Sequence, residues 1–340
     1  MNPDIIIDPG PEGLNVAQRR PAVAAALVGK PINEALQQVS ALLPVCGAAQ
    51  LVAARRAVEG AWAHEENPEE SARRDGRLWR EQALAAAWRL TVDWPDLVGE
   101  PRRLDRLKQL RGTGDARDLA TGLRSLINGF DHVQSVDAAL DVAVNNSSLA
   151  ARVVRAALGH GPTAADTPIQ LVRGESLAMV VLGAFSLEPF DPCHPWAEKP
   201  VEVGPLAMGR DPLIDEIRAR LGTTPAARLI ATLLDTRAIA AALEGNGTAT
   251  APRRSWTLDP GCGLGVAMTA RGPVFHRVTI DDHNSMVIGD WRVLAPTDWH
   301  FSPDGPVAAS GGTDRDALRF VVASFDPCAP WRLGALNDGG

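Results

Sequence analysis

Apolar residues recur at helical spacing over most of the chain between residues 33 and 243. A first helix is predicted from Asn33, a residue type that caps helices, to the interruption at Pro44. The same spacing predicts further helices over residues 46–59, 68–94, 103–127, 147–158, 173–187, 212–221, 224–243 and 314–324. This pattern indicates a fold in which helices pack mainly on helices.

The second predicted helix begins at Cys46 and carries small residues at Ala49, Ala53 and Ala57. Residues four apart share one face of a helix, and small residues on that face allow close packing of a neighbouring helix. The helix dipole favours a thiolate at Cys46, which lies at the positive end. The alternative is a buried thiol that packs as a small apolar residue.

Strand patterns occur near both ends of the chain. Residues 4–8 predict a short buried strand, and alternating apolar residues with a turn at 281–284 predict a hairpin or meander. The strands of this hairpin or meander cover residues 266–269, 274–280, 286–288 and 291–294. Residues 244–260 form the predicted long loop, and Cys262 has the sequence context of a turn. The fold class is therefore α+β, mainly helical, with a small antiparallel β region near the C-terminus.

Composition and charge narrow the class of function. With 340 residues, of which 45% are hydrophobic, the chain can bury a substantial core. A net charge of −7 without a basic stripe argues against nucleic acid or an anionic membrane as the main partner. No signal peptide and no run of eighteen apolar residues is visible, so we expect a cytoplasmic protein. One charged cluster is interpreted as a solvated helix face: Glu69, Glu70, Arg73 and Arg74.

The four cysteines, Cys46, Cys193, Cys262 and Cys328, occur singly, which fits neither a disulfide framework nor a zinc ribbon. Cys193 with His194 could bind a metal, although adjacent side chains rarely point at one ion, and a surface or structural role is the alternative. The Phe-Asp-Pro-Cys sequence that contains Cys193 recurs at Cys328. A match this short does not indicate a duplicated domain.

Three loops near the C-terminus combine Gly or Pro with reactive side chains. Arg271 precedes Gly272 and could hold a small anion, to which the hydroxyl of Thr297 could also donate. A thiolate at Cys328, which follows Asp-Pro, could ligate a soft or borderline metal. Taken singly, an exposed arginine, a capping threonine and an inert cysteine are the alternatives.

In combination and in this order, the segments resemble the large subunit of nickel–iron hydrogenases. That family carries the motifs CxxCxxxH and DPCxxCxxH, whose cysteines hold nickel and an iron that bears cyanide and carbon monoxide. Cys46 and the helix after it resemble the second cysteine of the first motif, and Cys328 resembles the first cysteine of the second motif.

Three further segments carry the same resemblance. Residues 202–207 resemble the EVGPLAR motif. Arg271 with His276 resembles the PRGxLxH loop, whose arginine lies over the iron, and residues 296–299 resemble the PTTWN loop, whose hydroxyl residue binds a cyanide ligand. The resemblance therefore implies that Arg271 and Thr297 are cofactor-binding residues and that Cys46 and Cys328 are metal ligands.

The chain departs from the family at several metal-site positions. The missing cysteines fall on Leu43 and Trp331, the two histidines on Gln50 and Gly334, the arginine of EVGPLAR on Met208, and the proton-transferring glutamate on Ala24. Nickel with two bridging and two terminal thiolates cannot be assembled from one cysteine of each pair. The expectation is a protein without nickel and without hydrogenase activity.

A chain that keeps Arg271, Thr297, Cys46 and Cys328 but lacks the nickel ligands is similar to the HupK/HoxV type of hydrogenase expression and formation protein. This resemblance implies a non-catalytic scaffold in the maturation of nickel–iron hydrogenase, which transiently holds an iron carrying cyanide and carbon monoxide before transfer to the true large subunit. The alternative is a cofactor-free mimic of the large subunit that recruits maturation chaperones. The partners implied are those chaperones, iron-cofactor assembly proteins and the large-subunit precursor.

The resemblance also implies one domain over residues 1–340. Within it we expect an N-terminal β segment (1–30), a helical core (31–244), and a C-terminal part (262–332) that contains the β meander, a helix and the cysteine loop.

Overall fold

The computed structural model describes residues 4–10, 13–19, 23–160, 169–171, 174–195, 199–246, 254–281, 284–311 and 314–334. Helices form most of this part of the chain. They are α1 (Ile32–Leu42), α2 (Gly47–Ala61), α3 (Pro68–Trp88), α4 (Trp94–Leu97), α5 (Leu104–Gly112), α6 (Ala116–Leu126), α7 (Val136–Asn145), α8 (Leu149–Gly159), α9 (Gly174–Phe185), α10 (Pro205–Met208), α11 (Ile214–Leu221), α12 (Pro225–Leu243), α13 (Pro296–His300), α14 (Pro306–Ala309) and α15 (Arg315–Phe325).

The strands form three small sheets. They are β1 (Ile5–Gly10), β2 (Gly13–Gln18), β3 (Gln170–Leu171), β4 (Val201–Glu202), β5 (Ser255–Asp259), β6 (Cys262–Thr269), β7 (Gly272–Asp281), β8 (Asn284–Leu294) and β9 (Trp331–Leu333). The sheet orders are β2-β1-β9, β3-β4 and β5-β6-β7-β8. The last sheet is an antiparallel meander, so the predicted α+β, mainly helical class with a small antiparallel region is confirmed.

Two predictions near this meander are wrong. The predicted loop 244–260 contains strand β5, which pairs with β6 because Trp256 and Leu258 pack against the core beneath the sheet. Cys262 is the first residue of β6 rather than part of a turn, and the turn is formed by Gly261, whose φ is +74°. Residues 247–253, and residues 282–283 of the predicted turn, lie outside the described residues.

Helix α2 lies directly on strand β6. Gly263 and Gly265 occupy alternate positions of the strand and so face the same side. A Cβ atom on Gly265 would overlap the backbone of Ala53 and Ala57 in α2. Both alanines are fully buried, but the element packed on them is a strand and not the neighbouring helix that was predicted. Because Gly263 and Gly265 have no side chains, α2 can lie directly against the backbone of β6. This contact sets the position of α2 and, with it, the position of Cys46.

The chain ends meet in the first sheet. The strand predicted over residues 4–8 is confirmed as β1, and Ile5 and Ile7 are fully buried. Strand β9 pairs with β1 in parallel, with Ile5 opposite Trp331. This pairing anchors the segment that follows Cys328.

Several predicted helix boundaries differ from the structure. Helix α1 starts at Ile32 after Pro31, so Asn33 lies inside the helix and does not cap it. The predicted helix 68–94 ends at Trp88, continues as a π turn over Arg89–Asp93, and is followed by α4. The predicted helix 103–127 is divided into α5 and α6, and α7 was not predicted.

The charged cluster on α3 is only partly a solvated face. The side chain of Arg74 is buried and forms ion pairs with Glu59 at 2.6 Å, Glu66 at 2.9 Å and Glu70 at 2.8 Å. The prediction was wrong for Arg74 because its partners lie mostly outside its own cluster, on α2 and on the connection to α3.

Helix α12 is the centre of the helical part, and α3, α6, α8, α10, α11 and α15 all contact it. Most of its side chains are buried. Among the described residues no single helix is both long and apolar enough to cross a bilayer. The pair formed by α1 and residues 44–61 passes that test jointly but bends by 91°.

Candidate functional site

Cys46 ends a 3-10 turn (Pro44–Cys46) and directly precedes α2. Its side chain is buried, and Arg271 donates from Nη1 to its sulfur at 3.6 Å. Burial raises the pKa of the Cys46 thiol to about 12, while Arg271 opposes this rise. Of the two interpretations of Cys46, the buried thiol is therefore favoured over the thiolate in the protein alone, because desolvation is the largest effect on this group.

Arg271 lies in the tight turn between β6 and β7. Gly272 has φ = +125°, and a Cβ there would overlap the carbonyl oxygen of Val203, so this turn requires glycine. The guanidinium donates from Nε to the carbonyl oxygen of Asp326 at 2.6 Å and from Nη2 to the Asp326 carboxylate at 3.3 Å. Burial disfavours the charge, but Asp326 and the two thiols of the site together raise the pKa of Arg271 above its usual value.

Asp326 joins Arg271 to a second arginine that the sequence did not reveal. Asp326 terminates α15 with φ = +49°, and its carboxylate accepts from Nη2 of Arg89 at 2.5 Å. Burial tends to raise the pKa of Asp326, but Arg271 and Arg89 lower it below the usual value. Arg89 comes from the π turn after α3, where sequence periodicity indicated only a helix. The carboxylate thus holds both guanidinium groups at the site.

Cys328 and Thr297 are in direct contact. The hydroxyl of Thr297 donates to the sulfur of Cys328 at 3.1 Å and accepts from the Cys328 backbone N–H at 3.1 Å. Thr297 lies in the first turn of α13 and is buried, whereas Cys328 is partly exposed. One hydroxyl therefore fixes both the backbone and the sulfur of Cys328.

Direct contacts join the four residues predicted for the site in two pairs, Arg271 with Cys46 and Thr297 with Cys328. Both thiols also lie near enough to Arg271 to contribute to its raised pKa. Within the described ranges, no group of three or more His, Cys, Asp or Glu side chains is arranged to hold a metal ion. Leu43 is the C-cap of α1, and Trp331 lies in β9. The side chains of leucine and tryptophan offer no atom that ligates a metal, so neither position supplies a ligand. The chain offers two thiols, a guanidinium and a hydroxyl at this site.

His276 does not line the site but contacts residues that hold its elements in place. It is fully buried, its Nε2 contacts Oε1 of Gln50 at 2.6 Å, and its Nδ1 accepts from Nε1 of Trp291 at 3.0 Å. Because Nδ1 accepts, Nε2 carries the proton and donates to Gln50. Both ring nitrogens are occupied, so His276 cannot ligate a metal in this arrangement.

The remaining cysteines lie elsewhere. Cys193 is buried in a loop where Asp191 accepts from its backbone N–H at 2.8 Å, and the carboxylate also contacts Nδ1 of His194 at 2.6 Å. Cys262 accepts a hydrogen bond from Thr279 inside the meander at 3.5 Å. Neither belongs to a metal-binding group in the described part of the chain.

Two buried histidines predict a sensitivity to acid. Burial lowers the pKa of both His276 and His300 to about 3, with Arg228 contributing at His300. In the unfolded chain these groups bind a proton below pH 6.5, whereas the folded protein does not. The contribution of these two neutral histidines to the free energy of unfolding is therefore fully present above pH 6.5, and it falls continuously towards pH 3. At pH 5 each histidine should remove about 2 kcal/mol from the free energy of unfolding.

Urea unfolding at pH 7.5 and pH 5.0 measures this loss. Replacing His276 with Gln should reduce the difference between the two pH values, while His132→Gln, at a side chain 86% exposed, should not. If the stability difference between pH 7.5 and pH 5.0 were the same in His276→Gln as in the parent, the lowered pKa of His276 would be contradicted.

Comparison with solved structures defines the fold class. A chain of an NAD+-reducing nickel–iron hydrogenase in the H2-reduced state superposes with a TM-score of 0.57 and 15% identity, covering 93% of this chain and 92% of that chain. A nickel–iron–selenium hydrogenase variant from Desulfovibrio vulgaris Hildenborough superposes with a TM-score of 0.55 and 14% identity, covering 93% and 92% of the two chains. The fold is that of the hydrogenase large subunit, as the resemblance predicted.

Sequence comparison gives the family. A protein named hydrogenase expression/formation protein HupK from Azotobacter vinelandii is 30% identical over 93% of this chain and 92% of its own length. HupV from Azotobacter chroococcum is 29% identical over 92% and 90% of the two chains, and HoxV from Cupriavidus necator is 26% identical over 94% and 92%. No family model matches the sequence. The chain belongs to the family of hydrogenase expression/formation proteins.

Proposed function

We propose that this protein is a scaffold in the maturation of nickel–iron hydrogenase. Its cargo is the iron fragment with cyanide and carbon monoxide ligands, which it holds before transfer to the true large subunit. The observation that carries the proposal is the convergence of Arg271 and Thr297 on the two thiols Cys46 and Cys328. The names of the relatives support a role in hydrogenase maturation.

The donor set suits such a cargo. Thiolates are soft ligands for iron, and an iron that brings its own diatomic ligands needs few from the protein. The N–H groups of Arg271 and the hydroxyl of Thr297 are of the donor type that cyanide nitrogens require, and the hydroxyl would turn its one proton from the sulfur of Cys328 to the cyanide. Metal ligation needs thiolates, so loading displaces the thiol protons. The positive charge of Arg271 compensates the charge that remains.

The same donor set argues against turnover of hydrogen. A nickel site with four thiolates would need ligands at Leu43 and Trp331, which provide no donor atom. We therefore infer a non-catalytic maturation factor that does not hold nickel. Its partners would be maturation chaperones, iron-cofactor assembly proteins and the large-subunit precursor.

Infrared spectroscopy tests the proposal directly. Protein purified from cells with active hydrogenase maturation should show cyanide and carbonyl stretching bands. Replacing Cys46 or Cys328 with alanine should remove these bands, because each variant leaves a single thiol for the iron.

Matched controls are available in the same chain. Cys193→Ala and Cys262→Ala change buried cysteines that lie away from the site and should keep the bands. A wild-type spectrum without cyanide or carbonyl bands, or bands that survive in both Cys46→Ala and Cys328→Ala, would overturn the proposal.

A cofactor-free mimic of the large subunit is the second candidate. It is favoured by the extent of the shared fold, which covers 93% of this chain, and would act by recruiting maturation chaperones. In that case Cys46→Ala and Cys328→Ala should still support hydrogenase maturation in cells. The scaffold predicts that both variants fail in this assay.

A further inference from the structure

Glu81 of α3 caps a helix to which it does not belong. One carboxylate oxygen accepts from the backbone N–H of Ala48 at 2.7 Å, and the other accepts from Ala49 at 2.9 Å. These residues occupy the second and third positions of α2, which starts at Gly47. The carboxylate therefore occupies the positive end of the helix that carries Cys46.

The position that ordinarily supplies such acceptors is the N-cap, whose side chain typically accepts from the N–H groups of the second or third helical residue. In α2 this position is held by Cys46, whose sulfur is only a weak acceptor. The side chain of Cys46 makes no such bond. Its sulfur instead receives the hydrogen bond from Arg271.

We propose that Glu81 is a positioning residue for the iron site. By satisfying the two amides of α2, it releases the sulfur of Cys46 from capping its own helix and directs it towards Arg271 and Cys328. A glutamate suits this role because it has two acceptor oxygens, one for each amide. Aspartate is one methylene shorter, and glutamine offers one acceptor. The inference rests on the proposed function only in that Cys46 is taken as an iron ligand.

The distance between the two thiols tests this role without any iron. Dibromobimane becomes fluorescent when it bridges two neighbouring thiols, so in a Cys193→Ser, Cys262→Ser background it reports how often Cys46 and Cys328 face each other. Loss of the Glu81 charge also favours the Cys46 thiolate and so raises its reactivity, because the carboxylate contributes to the raised pKa of that thiol. Each cross-linking rate is therefore divided by the rate of single alkylation with monobromobimane. This ratio should fall about fivefold in Glu81→Ala, the population shift that loss of one helix cap produces. Glu81→Gln, which keeps one acceptor, should recover part of the ratio.

Glu69→Ala, at an exposed position of the same helix, is the matched control and should cross-link like the parent. Equal rate ratios in the parent and in folded Glu81→Ala and Glu81→Gln would overturn the role of Glu81. A parent that does not cross-link, although monobromobimane alkylates each of the two thiols, would overturn the convergence of the thiols. Infrared bands in the iron-loaded protein decide the proposed function separately, since they do not depend on the cross-linking result.

Discussion

Replacing Gly265 with alanine is expected to destabilise the protein by about 3 kcal/mol, at the upper end for an overpacked core. The new Cβ would overlap the carbonyl oxygen of Ala53 and the amide nitrogen of Ala57, which are backbone atoms that no rotamer change can move. Helix α2 must therefore lift from β6. Because Cys46 begins that helix, the same movement should separate the two thiols.

Chemical denaturation compares Gly265→Ala with a control of the same chemistry. Gly76 lies on the exposed side of α3, where an added Cβ meets no atom within 4 Å. Gly76→Ala should stabilise the protein by about 0.5–1 kcal/mol, since alanine favours helix more than glycine. A Gly265→Ala variant whose unfolding midpoint equals or exceeds that of the parent would refute the close contact between α2 and β6.

Replacing Arg228 with methionine is expected to cost about 3–5 kcal/mol, because it leaves the carboxylate of Glu202 buried without its cation. The two side chains are joined by hydrogen bonds of 3.0 and 2.8 Å, and each is only 2% exposed. The guanidinium also lies 4.0 Å from the centre of the Phe325 ring, directly before the loop of Cys328. The pair thus connects α12 to the walls of the site.

A double-mutant cycle separates the unpaired charge from lost packing. Glu202→Gln combined with Arg228→Met removes both charges and should be clearly more stable than Arg228→Met alone. Denaturant midpoints of the four proteins give the coupling energy. Additive losses in the double variant would mean that the two charges do not depend on each other.

The positions of Arg271 and Thr297 could be anticipated because their loops are determined locally. Glycine at 272 permits the positive φ of its turn and proline at 296 fixes the start of its helix, so both side chains are placed by their immediate neighbours. The meander was predicted for the same reason, since alternation is a local pattern. Cys46 and Cys328 could be paired only through the resemblance to hydrogenase large subunits.

The sequence could not reveal partners that tertiary packing brings together. Glu81 and Arg89 lie in a stretch with a plain helical pattern, and nothing there indicates that one caps α2 and the other binds Asp326. The sequence left the charge state of Cys46 open between a thiolate and a buried thiol, because tertiary packing sets the degree of burial. Long-range contacts of this kind decide the electrostatics of the site.

The pairing of β1 with β9 also sets the order of events during synthesis. Cys46 is translated early, whereas Cys328 follows the helical body and is held both by Thr297 and by the pairing of β9 with β1. A ribosome-bound chain that still lacks β9 therefore lacks part of what holds Cys328. If the protein carries iron as proposed, the fragment should bind only after this segment has been translated.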